Sequence, residues 1–123
     1  MLSFTSVDNN NDYKKTNSLD KRKTECQRII CRYINHVPVI VTYNDELSKH
    51  NLKKKFLVPN DVSCGHLIYT IRKNIKVNSS MAIFIFCNNV LISGTKNMSE
   101  IYEEYKDEDG FLYLYVATEN TFG

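Results

Sequence analysis

The stretch SCGHLIYTIRKNIKVNSSMAIFIFC at residues 63–87 decides the fold, because a helix pattern in it leads directly into a strand pattern. Ser63 is a suitable N-cap for a helix over residues 64–75. The apolar positions of this helix share one face and would pack on a sheet: Cys64, Leu67, Ile68, Ile71 and Ile75. The run MAIFIFC at 81–87 is continuously apolar and of strand length, which predicts a central strand buried on both faces.

Before this stretch, the sequence predicts one helix and two strands. A helix is expected over residues 19–33, with Cys26, Ile30 and Tyr33 facing the core and Ile29 at the edge of that stripe. A strand follows at 37–43. Because Pro38 has no N–H to donate, its part of the strand must be a start or an edge. A polar loop at 44–51 then leads to a second strand at 54–58, which Pro59 closes.

After this stretch, the pattern predicts a hairpin, a helix and a last strand. Asn88-Asn89 is a turn signal, since asparagine tolerates positive φ, and residues 90–92 fit a short return strand. Helical spacing follows at Met98, Ile101, Tyr102 and Tyr105. A turn at 107–110 precedes a strand at 111–117, so two hairpins flank the central helix.

This order of elements predicts an α+β fold of the ubiquitin-like β-grasp type. Its mixed sheet has about four to five strands packed on helices that cover one face, with an added N-terminal helical segment. No repeat or linker divides the 123 residues. We expect a polar N-terminal arm at 1–18 that can hold a short helical turn, a domain at 19–117 and a flexible tail at 118–123.

Composition and charge exclude several classes of protein. The net charge of +2 does not suit a protein that binds nucleic acid over its whole surface. The charge is nevertheless uneven. Residues 14–76 carry 14 basic and 5 acidic side chains, whereas residues 99–123 carry one basic and 7 acidic side chains. This polarity predicts either a polarised surface or attraction between the two halves. The four cysteines form no CxxC pair, so we expect no metal and no cofactor. Neither a signal peptide nor a membrane-spanning run is present in the sequence.

Seven segments occur together in one order: DKRK at 20–23, VPVI at 37–40, KKKFLVP at 53–59, IRK at 71–73, AIFIF at 82–86, IYEEYKDEDGFLY at 101–113 and ENTFG at 119–123. With them the chain resembles, over about residues 19–123, the autophagy ubiquitin-like modifiers, the family of GABARAP and microtubule-associated light chain 3. Members share the ubiquitin fold with two extra N-terminal helices. The resemblance implies a binding protein rather than an enzyme.

The resemblance makes Gly123 the site of conjugation to phosphatidylethanolamine. The implied partners are ubiquitin-like activating and conjugating enzymes, a deconjugating cysteine protease and cargo receptors. The implied location is the cytoplasm, and the autophagosome membrane when the protein is lipidated. Phe84, Phe86 and Phe122 would contact the conjugation machinery. Strand alternation places Phe84 and Phe86 on one face, opposite Ile83 and Ile85, with buried packing as the alternative role.

The resemblance also implies a groove for short motifs, in which an aromatic residue is followed by two spacers and an aliphatic residue. The strand at 54–58 would accept the peptide by strand addition. The aromatic subsite would be formed by Glu25, Ile29, Pro38, Ile40, Lys55, Leu57 and Phe111. The aliphatic subsite would be formed by Phe56, Val58, Pro59, Val62 and Leu67. Lys53, Lys55 and His36 would face acidic residues of the motif, and His36 would strengthen binding as the pH falls toward ~6.

Two alternative functions remain at this point. The first is a non-conjugating ubiquitin-like adaptor in membrane trafficking or cytoskeletal binding. The second is a nucleic-acid binder that uses the basic half of the chain, which we do not favour. An enzyme is not expected, because the acidic residues at 100–109 fit a surface helix and turn, and the three histidines lie beside no nucleophile pattern.

Overall fold

A computed structural model of the chain describes residues 13–75 and 81–119. In chain order the elements are α1 (Tyr13–Thr16), α2 (Leu19–Arg32), β1 (His36–Tyr43), α3 (Asp45–Ser48), β2 (Lys55–Pro59), α4 (Cys64–Lys73), β3 (Ala82–Cys87), β4 (Val90–Leu91), α5 (Met98–Tyr105) and β5 (Leu112–Glu119). The predicted order is confirmed, α1 is the short helical turn expected in the arm, and α3 is added as a single turn. The loop expected at 44–51 therefore contains a helix, which buries Leu47 completely.

The five strands form one mixed sheet in the order β2-β1-β5-β3-β4. β1 and β5 are parallel at its centre, and the other neighbours are antiparallel. The β1–β5 register begins at Val39, whereas Pro38 pairs with Leu57 of β2 alone. Pro38 thus lies at the start of β1, before the second ladder begins, as its missing N–H predicts.

Helices lie on both faces of the sheet, so the prediction that they cover one face is wrong. Successive residues of β1 point to opposite sides. Val37, Val39 and Val41 join the main core, which we define as the nineteen buried residues that link the sheet to α3, α4 and α5. Ile40 joins the small cluster on the other face, defined by Tyr13, Cys26, Ile29, Ile40, Leu57 and Phe111. Helix α2 covers that second face.

The buried stripe of α2 differs slightly from the expected one. Cys26 and Ile29 are buried, whereas Ile30 and Tyr33 are only half-buried and pack against the small cluster. Ile29 is therefore at the centre of the contact and not at its edge. Ser18 caps the helix by accepting a hydrogen bond from the Lys21 N–H, and Ser63 caps α4 in the same way, as predicted.

β3 is buried on one face only, which corrects the prediction of burial on both. Ile83, Ile85 and Cys87 are buried in the main core, and Phe84 and Phe86 are half-exposed on the other face. The reason is that α2 packs over β1 and leaves the outer face of β3 uncovered. A continuously apolar strand therefore presents aromatic side chains to solvent.

Turns and chain ends show the remaining differences. Asn88 and Asn89 adopt φ of 50° and 66°, as the turn prediction requires. β5 begins one residue later than expected and continues to Glu119, because Thr118 and Glu119 still pair with Ile83 and Ala82. Thr118 and Glu119, which were expected in the tail, thus belong to β5, and residues 120–123 lie outside the described residues, as do residues 1–12 of the arm.

Candidate functional site

The predicted peptide-accepting strand lies at an edge of the sheet. β2 lies at one end of the sheet order and pairs with β1. Within residues 13–75 and 81–119, no strand pairs with its outer edge. Alternation along β2 sends Lys55 and Leu57 toward the α2 face and buries Phe56 and Val58 in the main core. An extended peptide added to this edge would therefore meet two different sets of side chains.

The residues of the predicted aromatic subsite come together under α2. Four of them, Ile29, Ile40, Leu57 and Phe111, are members of the small cluster and at most 5% exposed. Pro38 is buried on β1, and Glu25 of α2 and Lys55 of β2 are half-buried. Three separate segments, α2, the β1–β2 hairpin and the residue before β5, thus supply one apolar surface with one acid and one base.

Tyr13 is a member of this site that the sequence analysis did not identify. Its ring is only 3% exposed and packs edge-on against Phe111, with 5.6 Å between ring centroids. Its hydroxyl donates a hydrogen bond to Glu25, and Lys55 Nζ lies 4.7 Å from the ring centroid. Burial, together with the Glu25 carboxylate, raises the pKa of Tyr13. The only sequence signal was an aromatic residue just before the basic pair Lys14-Lys15, in a segment rich in polar residues.

The predicted aliphatic subsite lies on the other side of β2, beside α4. Phe56, Val58 and Leu67 are 4%, 0% and 0% exposed and belong to the main core. Pro59 and Val62 are half-buried, and Val62 packs against the core. A ligand that reaches this subsite on the described surface would therefore touch Pro59 and Val62 first.

The three predicted basic side chains do not lie together. Ile40 pairs with Lys55 at one end of the β1–β2 ladder, and His36 pairs with Pro59 at the other. Four residues of strand separate the two ends by roughly 13 Å. Lys53 is exposed next to the Lys55 end, and His36 Nδ1 lies 3.0 Å from the Ile34 carbonyl. Lys53 and Lys55 can therefore meet the same acidic group, whereas His36 would meet a different part of a bound peptide.

A buried carboxylate positions Phe111 in the small cluster. Asp109 is 3% exposed, which corrects the prediction that residues 100–109 form only a surface helix and turn. It accepts hydrogen bonds from Arg22 Nη1 at 2.7 Å, the Phe111 N–H at 2.8 Å and the Tyr113 hydroxyl at 2.5 Å. Burial and the Asp109 carboxylate raise the pKa of Tyr113. The network fixes the turn before β5 to α2.

The same turn holds the N-terminal segment. Asp107 accepts a hydrogen bond from Lys14 Nζ at 2.5 Å. Gly110 has a φ of 95°, and a Cβ there would lie 2.7 Å from Cys26 Sγ, so the turn packs closely on α2. These ion pairs join the basic part of the chain to the acidic part. They support the alternative that the two halves attract each other.

Phe84 and Phe86 lie on one side of β3, and Ile83 and Ile85 lie on the other, as predicted. Phe86 packs against Tyr115 with 6.4 Å between ring centroids, and Tyr115 is 44% exposed. Because β4 pairs only with Phe86 and Cys87, the edge of β3 before them adjoins a groove of about 380 Å³, which Ile68, Leu91 and Ile92 also line. Both phenylalanines are partly buried, and neither belongs to the main core or the small cluster.

Two predicted residues, Phe122 and Gly123, lie outside the described residues. In the part of the chain that is described, no helix is long and apolar enough to cross a membrane. Over the same ranges, no group of three His, Cys, Asp or Glu residues is arranged to hold a metal ion.

Comparison with known proteins gives one consistent result. Residues 21–123 match the family model described as "Autophagy protein Atg8 ubiquitin like". The chain is 47% identical to autophagy-related protein 8e of Arabidopsis thaliana over 112 residues, which cover 90% of this chain and 92% of that one. It is also 47% identical to autophagy-related protein 8 of Mycosarcoma maydis, with 90% and 95% covered.

A solved structure agrees with the sequence matches. The crystal structure of Trypanosoma brucei ATG8 superposes with a TM-score of 0.77 at 29% identity, and the match covers 91% of this chain and 97% of that chain. The mixed sheet with its N-terminal helices therefore has the predicted ubiquitin-like α+β fold.

Proposed function

The chain belongs to the Atg8 family of ubiquitin-like autophagy proteins, and we propose on that premise that it is joined through Gly123 to phosphatidylethanolamine. The observation that carries this proposal is that the family match continues through residue 123, the glycine of ENTFG. In this role the chain is a modifier and a binding protein and not an enzyme. Its Asp107 and Asp109 carboxylates are used in internal ion pairs with Lys14 and Arg22.

The chemistry requires four steps at the carboxylate of Gly123. With a pKa of ~3.5 the carboxylate is ionised at cell pH. It attacks the α-phosphate of ATP and releases pyrophosphate. A cysteine thiolate of the activating enzyme displaces AMP to form a thioester, which passes to a cysteine of the conjugating enzyme. The lipid amine then attacks that thioester, forms the amide and releases the thiol. Glycine suits a narrow enzyme channel because it has no Cβ.

Lipidation supplies a membrane anchor. Each buried CH₂ group contributes about 0.8 kcal/mol, and two acyl chains hold a protein stably where one is marginal. Phosphatidylethanolamine carries two chains, so a single ligation is sufficient. The protein would move between the cytoplasm and the autophagosome membrane, and a cysteine protease would reverse the step.

The half-exposed pair Phe84 and Phe86 is the surface that we assign to the conjugation machinery. These rings lie on the sheet face that α2 leaves open, and Tyr115 extends the patch. Phe122 would act with them as an anchor in the same enzymes. Aromatic side chains are enriched at such interfaces because they bury a large area.

The β2 edge is the surface that we assign to cargo receptors. Burial of two anchor side chains gives ~3–6 kcal/mol, while micromolar binding needs about 8 kcal/mol. Backbone pairing along β2 and the Lys53 and Lys55 charges must supply the rest. Single motifs should therefore bind weakly, and many copies on a membrane add avidity.

Conjugation is tested with the purified chain, its activating and conjugating enzymes, ATP and phosphatidylethanolamine liposomes. We expect the mass of the lipid minus one water to be added to the wild type and nothing to be added to Gly123→Ala. No gain in either chain would favour the non-conjugating adaptor, and equal gain in both would contradict conjugation that depends on Gly123. A Phe84→Ala variant should slow the reaction, and an exposed tyrosine on α4, changed as Tyr69→Ala, should not.

Peptide binding is tested with two matched valine variants. Val62 is half-buried at the aliphatic subsite, and Val90 is 46% exposed at the opposite edge of the sheet. Val62→Asp should weaken binding of an aromatic-x-x-aliphatic peptide at least about tenfold, because a carboxylate would replace an apolar contact. Val90→Asp should bind as the wild type does. Equal weakening by both variants would place the peptide elsewhere.

A further inference from the structure

We propose that Tyr13, from the chain's own N-terminal arm, occupies the aromatic subsite of the unbound protein and must leave before a peptide's aromatic side chain can enter. This inference rests on the proposed function of the β2 edge as a peptide groove. It adds a competitor that the chain itself carries.

The first argument is geometric. Tyr13 touches three residues of the predicted subsite, and each comes from a different segment. Its ring packs edge-on against Phe111, Lys55 Nζ lies 4.7 Å from the ring centroid, and the hydroxyl donates to Glu25. A ring that contacts the subsite from three directions lies within it and not beside it.

The second argument is burial. An open aromatic subsite would expose its floor, yet Ile29, Ile40, Leu57 and Phe111 are 5%, 4%, 1% and 0% exposed. Tyr13 is the member of the same buried cluster that the arm contributes, and it is itself 3% exposed. The subsite is thus filled in the free chain by a side chain of the chemical class it is expected to bind.

The third argument comes from the sequence of the arm. Tyr13 follows Asp12, an acid upstream of an aromatic residue, as in the motifs that the groove is expected to accept. Three residues later the arm carries Thr16 and not an aliphatic residue. The arm therefore imitates only the aromatic half of a ligand. A complete motif uses both subsites, and this gives it an advantage over the arm.

Two features of the arm favour the departure of Tyr13 from the aromatic subsite. α1 has four residues, far fewer than an isolated helix needs to persist in water. Away from the subsite, Lys14 pairs with Asp107 and its Nζ lies 4.5 Å from the Tyr113 ring centroid, and the Lys14 side chain is 45% exposed. If the arm closes the subsite in about nine molecules of ten, the apparent affinity for a peptide falls about tenfold.

The test uses full-length chains and a fluorescent peptide with an Asp-Trp-x-x-Leu core that contains no Lys or Arg. We expect Tyr13→Ala to bind it about tenfold more tightly than the wild type. Tyr13→Phe keeps the ring and loses only the hydroxyl bond, so it should stay within about threefold of the wild type. Tyr69→Ala removes an exposed tyrosine of α4 and should leave the affinity unchanged.

A second measurement does not depend on how the variants fold. Trypsin cuts after Lys14 and Lys15, which become more accessible once the arm leaves. Saturating peptide should therefore accelerate that cleavage of the wild type several-fold, as followed by mass spectrometry. The same concentration of a peptide with Ala in place of Trp should not.

The outcomes separate the two proposals. If no chain binds the peptide, the groove function is wrong and the inference falls with it. If the wild type binds and Tyr13→Ala binds equally, the inference alone is overturned. Weaker binding by Tyr13→Ala would make Tyr13 part of the subsite wall and would also overturn it, as would peptide protection of Lys14 and Lys15 from trypsin.

Discussion

The main core and the small cluster lie on opposite faces of one sheet and differ in the side chains that form them. The main core contains nineteen buried residues, all apolar or cysteine, drawn from every strand except β4 and from three helices. The small cluster contains six, and charged side chains of Glu25 and Lys55 touch its tyrosine. The difference indicates that the main core supplies most of the free energy of folding. The small cluster, in contrast, contains the contacts that we expect a bound peptide to replace.

The largest expected effect is in the main core. Ile101 is fully buried on α5, so Ile101→Ala should lower the free energy of unfolding by about 3–4 kcal/mol through lost contacts and a cavity. Urea unfolding followed by circular dichroism measures this loss. Ile34→Ala is the control, because Ile34 is 72% exposed and should change stability by less than ~0.5 kcal/mol. A loss below about 1 kcal/mol in Ile101→Ala would contradict the conclusion that the free energy of folding is concentrated in the main core.

The second effect concerns the charged support of the small cluster. Asp109→Asn should cost about 2–3 kcal/mol, because Arg22, whose side chain is 11% exposed, would lose its buried counter-charge. The same unfolding experiment measures it, with the exposed Asp61→Asn as the control. If both variants lose equally little, the buried carboxylate has no special structural role.

The third effect should be smaller, although the side chain is an aromatic one. Tyr13→Ala should cost about 1–2 kcal/mol, because the short arm can detach without leaving a closed cavity in the sheet. Urea unfolding again measures the change, with Tyr69→Ala as the control. A cost as large as that of Ile101→Ala would make the arm part of the folding core and would argue against its release.

The smallest effect depends on pH. Burial raises the pKa of Asp107, but the hydrogen bonds from Lys14 and the Asp109 N–H, together with the charges of Lys14 and Arg22, outweigh it, so the net pKa lies below the ordinary value. Ionised Asp107 therefore stabilises the folded state above its unfolded pKa of ~3.9. This contribution is lost as the pH falls through the lower folded-state pKa. Asp107→Asn should cost under about 1 kcal/mol at pH 7, since the pair is partly exposed.

A pH series of unfolding experiments checks this sign. The difference between the wild type and Asp107→Asn should be constant above about pH 5 and should shrink toward zero below about pH 4. A difference that grows on acidification would mean that the carboxylate is not held by a cation in the folded state.

Most residues of the candidate site could be predicted from the sequence, but the presence of Tyr13 among them and the distance of His36 from the two lysines could not. The resemblance placed Ile29, Ile40, Leu57 and Phe111 in one predicted subsite, and in the structure all four belong to the small cluster. Tyr13 was missed, because the few apolar residues of the N-terminal arm form no helical or strand periodicity. His36 was grouped with Lys53 and Lys55, yet the ladder register places it at the far end of β2.

The sequence by itself determined the order of the elements, the Ser63 cap of α4 and the turn at Asn88-Asn89, because capping, periodicity and positive φ are local properties of the chain. It also determined the family, through segments spaced along most of its length. Only the tertiary structure decided that α2 lies on the second face, that Phe84 and Phe86 remain uncovered and that Asp109 is buried. Periodicity shows that one side of an element is apolar, but which partner covers that side depends on contacts between residues far apart in the chain.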